Sequence, residues 1–165
     1  APLGSLSTTP HTSTIRSRVV RMSIKPPTDA SAYDFSHRIR VRFAETDAMG
    51  IVHHSRYLPY LEAARVEYLR HIGHPYHEIR AEGVDMAVLE AGVQYRQPLR
   101  FDDVVDVHVA MGPVTRATFQ MVYLLTVEGA VHSTAVTVHG AVTPDGRPTR
   151  LPTWLRSFSN DPSGT

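Results

Sequence analysis

The chain has 165 residues, enough for one domain with a sizeable core and cramped for two. Its 17 Lys+Arg balance 16 Asp+Glu to a formal charge of +1, too even for a dedicated nucleic-acid binder. There is no cysteine, hence no disulfide, thiolate metal site or thiol nucleophile, and no apolar run approaches a membrane span. The expectation is a cytoplasmic protein that partners neither nucleic acid nor membrane.

Residues 1–36 are rich in Ser, Thr and Pro and show no sustained hydrophobic period. Such a segment buries too little surface to offset its ordering entropy, so a disordered extension is expected. Its first part reads as an upstream stretch ahead of a start at Met22 or in part a cloning scar, the alternative being an organelle transit peptide, since Ser5 to Arg21 is rich in Ser, Thr and Arg and free of acids. The folded domain is expected over 37–158, followed by a disordered tail at 159–165.

Within that domain His37–Phe43 alternates Ile39, Val41 and Phe43 with Arg38, Arg40 and Arg42, the pattern of a half-buried strand. A loop over 44–54 leads into a helix over Ser55–Ile72, stopped by Gly73 and tolerating Pro59 only in its first turn. Helical periodicity places Tyr57, Leu58, Leu61, Ala64, Tyr68, Leu69 and Ile72 on one stripe. Arg65 falls inside that stripe, and Glu62, three residues earlier, is the nearest partner for a buried guanidinium.

A short helix at 75–82 precedes strands at 84–91 and 93–97, with a bulge or bend expected at Gly92. Val105, Val107, Val109 and Met111 alternate with other residues, as do Phe119, Met121, Tyr123, Leu125 and Val127, so two antiparallel-type strands follow. Glu128-Gly129 turns the chain into a last strand, 130–143, closed by Pro144-Asp145-Gly146. The connections are too short for parallel crossovers, so an antiparallel meander is expected. With its face covered by the long helix, this is a two-layer α+β domain of one helix and five to six strands, whose exposed edges invite a second copy.

The chemistry concentrates between strand and helix. Asp47 lies just past a strand, Gly50 permits a tight turn, and the chain enters the long helix near His54 and Ser55. A helix N-terminus presents unpaired backbone N–H groups and a positive dipole end, suited to a polarised carbonyl oxygen. A carboxylate facing that amide suits acyl transfer or hydrolysis, with the carboxylate as nucleophile or as base for water. The alternative role for Asp47 is to stabilise a turn through local amides.

The run Thr46-Asp47-Ala48-Met49-Gly50-Ile51-Val52-His53-His54-Ser55-Arg56-Tyr57 with Glu62-Ala63-Ala64-Arg65 resembles the 4-hydroxybenzoyl-CoA thioesterase-like acyl-CoA thioesterases of the hotdog fold. Gly83-Val84-Asp85, Tyr95-Arg96-Gln97-Pro98-Leu99-Arg100-Phe101-Asp102-Asp103 and Arg150-Leu151-Pro152 extend the likeness. The resemblance implies a helix wrapped by a curved antiparallel sheet, subunits that join their sheets into a homodimer or homotetramer, active sites at the subunit interface, and an acyl-CoA substrate. It implies Asp47 as catalytic carboxylate and the His54 backbone N–H as oxyanion donor; no metal or cofactor is expected. Another hotdog branch uses a helix Glu, which makes Glu62 a second candidate.

His53, Ser55 and Tyr57 are then expected to line the thioester site. No Gly-rich phosphate loop is present, so the CoA phosphates fall to loop arginines, of which Arg96, Arg100, Arg147 and Arg150 are placed to serve. His71, His74 and His77 are not expected to bind metal, because Gly73 and Pro75 break the helix that would align them. Two other readings stay open: a non-catalytic acyl-CoA-binding or sensing protein, and an enoyl thioester hydro-lyase, whose His-containing hydration motif is not found.

Overall fold

A computed structural model describes residues 22–160. The expectations for 1–21 and 161–165 lie outside the described residues. In chain order the elements are β1 (Phe35–Arg40), α1 (Tyr57–His71), α2 (Tyr76–Ala81), β2 (Asp85–Tyr95), β3 (Val104–Val114), β4 (Thr118–Val127) and β5 (Ala130–Val142). The strands form one sheet in the order β1-β3-β4-β5-β2, every pairing antiparallel.

The meander is therefore partial. β3, β4 and β5 are successive neighbours, but β2 lies at the far edge against β5 instead of beside β3. The connection 96–103 makes this possible by crossing the end of the sheet: the Arg96 and Gln97 amides donate to His132 O at 2.9 and 3.0 Å. Farther along, Leu99 O accepts from Val52 N–H and Asp103 O from Val41 N–H. Two positive-φ residues, Glu128 (φ 49°) and Gly129 (φ 81°), make the tight turn between β4 and β5.

The register of β2 shifts between Val88 and Glu90, not at the expected Gly92. Gly92 instead admits a close neighbour: a Cβ there would stand 2.8 Å from Met22 Cε. β1 starts at Phe35 and ends at Arg40, short of the expected Phe43, because Phe43–Glu45 tightens into a 3-10 turn that leaves the Phe43 side chain exposed.

Helix α1 lies across the concave face. It buries Tyr57, Tyr60, Leu61, Ala64, Tyr68 and Leu69 against Val105, Val107, Phe119, Met121 and Tyr123 of the sheet. Full burial of each large apolar side chain contributes roughly 1.5–3 kcal/mol. Leu58, expected in this stripe, is 48 % exposed, and Tyr60 takes the inward place. The helix is entered through a 3-10 turn at His54–Arg56, so Pro59 falls in the first α-turn, where its missing N–H costs no bond.

Residues 22–34 depart most from expectation. They run along the outer face of the sheet, where Ile24 and Tyr33 bury themselves with Ala110, Val122, Leu124 and Val136. Tyr33 OH donates to Pro27 O at 2.8 Å, and Ser23 and Gln120 exchange two hydrogen bonds. The physical cause lies in β4 and β5, which carry apolar residues on both faces and so require cover on the outside as well. At the other terminus, Ser159 and Asn160, placed by sequence in a disordered tail, bond Val114 N–H and Gly112 O. Among the described residues no helix is long and apolar enough to cross a membrane.

Candidate active site

The loop between β1 and α1 is built around a buried acid that sequence reasoning missed. Glu45, 6 % exposed, accepts from the Arg42 backbone N–H at 2.9 Å, from the Arg42 guanidinium at 2.8 and 3.0 Å, and from the Tyr60 phenol at 2.5 Å. Burial pushes this carboxyl upward, but the hydrogen bonds from Tyr60 and Arg42 outweigh it and hold the group below its ordinary value. The Tyr60 phenol is pushed up, by burial first and by Glu45 second. An Arg in the N-cap place hides the reciprocal capping pattern from a sequence reader, and Tyr60 lies fifteen residues away.

From this anchor the chain makes a tight excursion. Asp47 N–H donates to Ile51 O at 2.8 Å, Gly50 N–H to Asp47 O at 2.9 Å, and Thr46 bridges Val52. Gly50 sits at φ +75°, the left-handed conformation the turn demands. The Asp47 carboxylate accepts from Met49 N–H at 2.8 Å, so the turn-stabilising role is present and fixes the carboxylate's direction. On the return, Val52 N–H reaches Leu99 O and His53 N–H reaches Glu45 O, stitching the loop to both neighbours.

Asp47 and His54 then line one cavity of about 390 Å³, together with Tyr57, Tyr95, Arg96 and Pro98. His54 opens the turn that runs into α1, and among the described residues its N–H donates to no protein acceptor. Its carbonyl accepts from Tyr95 OH at 3.2 Å, and the Tyr95 ring meets Tyr57 edge-on at 4.8 Å. A half-buried carboxylate, a free amide at a helix start and an aromatic wall thus share one space.

The other expected site residues divide. Arg96 and Tyr57 line this cavity. His53 and Ser55 turn toward each other instead, with His53 Nδ1 accepting Ser55 N–H at 3.2 Å and standing 2.8 Å from Ser55 Oγ, so they cap the helix start. Glu62 borders a separate cavity with Arg65, Val88 and Thr137, and stands 3.9 Å from the Arg65 guanidinium, a loose pair. Arg150 belongs to the opposite end of the sheet, where Leu151 N–H bonds Arg116 O beside the β3–β4 turn.

The three histidines disperse. His71 packs on Phe35 at 5.0 Å, His74 stacks on Trp154 at 3.6 Å, and His77 is exposed beside Glu78.

Residues 41–158 match the family described as the thioesterase-like superfamily. The acyl-CoA thioester hydrolase YbgC of Escherichia coli O6:H1 is 37 % identical over 73 residues, 44 % of this chain and 54 % of YbgC. Among solved structures, a hypothetical protein from Aquifex aeolicus superimposes with a TM-score of 0.71 at 40 % identity, covering 75 % of this chain and 98 % of that one. A DHNA-CoA thioesterase from Staphylococcus aureus gives 0.71 at 25 % identity, covering 74 % and 87 %.

The fold is the hotdog fold, and its class is that of thioester hydrolases. The chain belongs to the thioesterase-like superfamily.

Proposed function

We propose that the protein is a cytoplasmic acyl-CoA thioesterase in which Asp47 is the catalytic carboxylate and the His54 backbone N–H holds the oxyanion. The observation that carries this reading is that both groups line the same cavity at the start of α1. Asp47 either takes a proton from water as the water attacks the thioester carbon, or attacks that carbon itself to give a mixed anhydride that water then cleaves. In both routes the carbonyl electrons move onto oxygen opposite the His54 amide, and the C–S bond breaks to release the CoA thiolate, which takes up a proton. Glu45 and Tyr60 position the loop, and Tyr57 and Tyr95 supply an apolar wall that excludes water from the acyl group.

A homo-oligomer completes the reading. β2 is an edge strand with Val88 52 % and Leu89 47 % exposed and no Lys, Arg or Pro to deter pairing, whereas the other edge, β1, carries Arg38 and Arg40. We assign β2 as the strand that meets a second copy.

Thiol release measured against short-chain, long-chain and aromatic acyl-CoAs tests the function. Hydrolysis of at least one class, lost on Asp47→Asn, is the expected result. Tight binding of every thioester without release would instead favour the non-catalytic module.

A further inference from the structure

A second cavity, about 290 Å³, opens between residues 22–26 and the strands β2 and β5. Met22, Ile24 and Val136 give it apolar wall, Gln94 and Thr134 give it polar wall, and Lys25 and Arg96 bring two cations to its lining. Among the described residues no carboxylate lines it. Arg96 also lines the Asp47 cavity, so the two spaces share this residue.

Lys25 is the only lysine in the chain and projects from a pinned backbone. On one side Ile24 is buried against Ala110 and Val136; on the other Pro26-Pro27 is rigid and its carbonyl is held by Tyr33 OH at 2.8 Å. A cation presented this way loses little freedom on meeting an anion. Apolar walls suit a planar heterocycle, and two cations without a competing acid suit phosphate.

From this we infer that the cavity at Lys25 and Arg96 seats the phosphorylated adenosine end of the CoA substrate, making residues 22–26 a determinant of selectivity for CoA thioesters over shorter pantetheine thioesters. The inference rests on the proposed acyl-CoA thioesterase reading for the identity of the ligand. It adds a binding role for a segment that precedes the family-matched residues.

Two measurements test it. Adenosine 3′,5′-bisphosphate binding, followed by calorimetry on the full chain, does not depend on turnover. Lys25→Gln is expected to weaken it about tenfold, the scale of one charge-assisted contact, with Lys25→Arg restoring most of it. In kinetics, the ratio of kcat/KM for an acyl-CoA to that for the same acyl group on pantetheine is expected to fall about tenfold in Lys25→Gln, through KM. Bisphosphate binding equal in the wild type and Lys25→Gln, or no binding at all, overturns the inference even if the protein hydrolyses acyl-CoA. Absence of hydrolysis with Lys25-dependent bisphosphate binding would overturn the hydrolytic reading and leave this site standing.

Discussion

The Tyr60 phenol donates to the Glu45 carboxylate at 2.5 Å, and through that bond the first turn of α1 is fastened to the loop that carries Asp47. The bond ties helix and loop together. Replacing the phenol removes a hydrogen bond to a buried anion, so Tyr60→Phe is expected to cost about 2 kcal/mol of stability, read from the urea midpoint. It should also lower kcat, because the Asp47 turn loses its brace. A variant as stable and as active as the parent would mean that the Arg42 contacts hold Glu45 unaided.

Asp47 and Glu62 occupy different cavities, which separates the two carboxylate candidates experimentally. Asp47→Asn is expected to lower kcat by ~10³-fold with its circular dichroism unchanged, and Glu62→Gln by less than ~10-fold. Single-turnover hydrolysis in ¹⁸O water then tests the covalent route: label inside the Asp47 carboxylate marks an anhydride that water cleaves at the aspartyl carbon, an outcome that activated water attacking the thioester cannot give. The reverse ranking of the two variants would move the chemistry to the helix.

His139 is fully buried, stacked on Phe119 at 4.7 Å, with Nε2 2.7 Å from Thr137 Oγ1. Burial first, and the Arg65 charge second, depress its pKa from 6.5 to about 3. The unfolded chain therefore binds a proton between pH 6.5 and 3 that the folded chain refuses, so stability from this group is complete above 6.5 and falls as pH drops through that window. The expected slope is up to about 1.4 kcal/mol per pH unit, measured by denaturant titration. Glu45 adds loss of the same sign at lower pH, since its carboxyl is held down in the folded state. His139→Phe should flatten the slope above pH 4.5 even if its absolute stability differs.

The edge strand gives a fourth expectation. Val88→Asp places a charge where a second copy would pair with β2, and should shift sedimentation toward the 18.3 kDa monomer with the far-ultraviolet spectrum retained. An unaltered oligomer would assign the interface to another face.

The parts of this architecture legible beforehand were those written in local periodicity. The alternation in β3 and β4, the Gly-terminated helix and the strand-to-helix loop with Asp47 all follow from neighbouring residues. Strand order did not, because the placement of β2 beside β5 depends on the path of 96–103 across the sheet end. Glu45 was illegible because an acid in a loop reads as solvated until Tyr60 and Arg42 converge on it. Arg65 was correctly flagged as a cation in an apolar stripe, yet the partner expected for it is largely exposed and distant, at 3.9 Å. Ile24 and Tyr33 escaped notice because two lone apolar residues in a Ser/Pro-rich stretch carry no period; their purpose resides in the outer face of β4 and β5.

That outer covering bears on how the polypeptide can be shortened. Beginning it at His37, the boundary composition favours, would strip Ile24 and Tyr33 away and leave Ala110, Val122, Leu124 and Val136 as one contiguous greasy patch facing water. Such a trimmed product would retain Asp47 and His54 and is still expected to clump, whereas one beginning at Met22 keeps its roof.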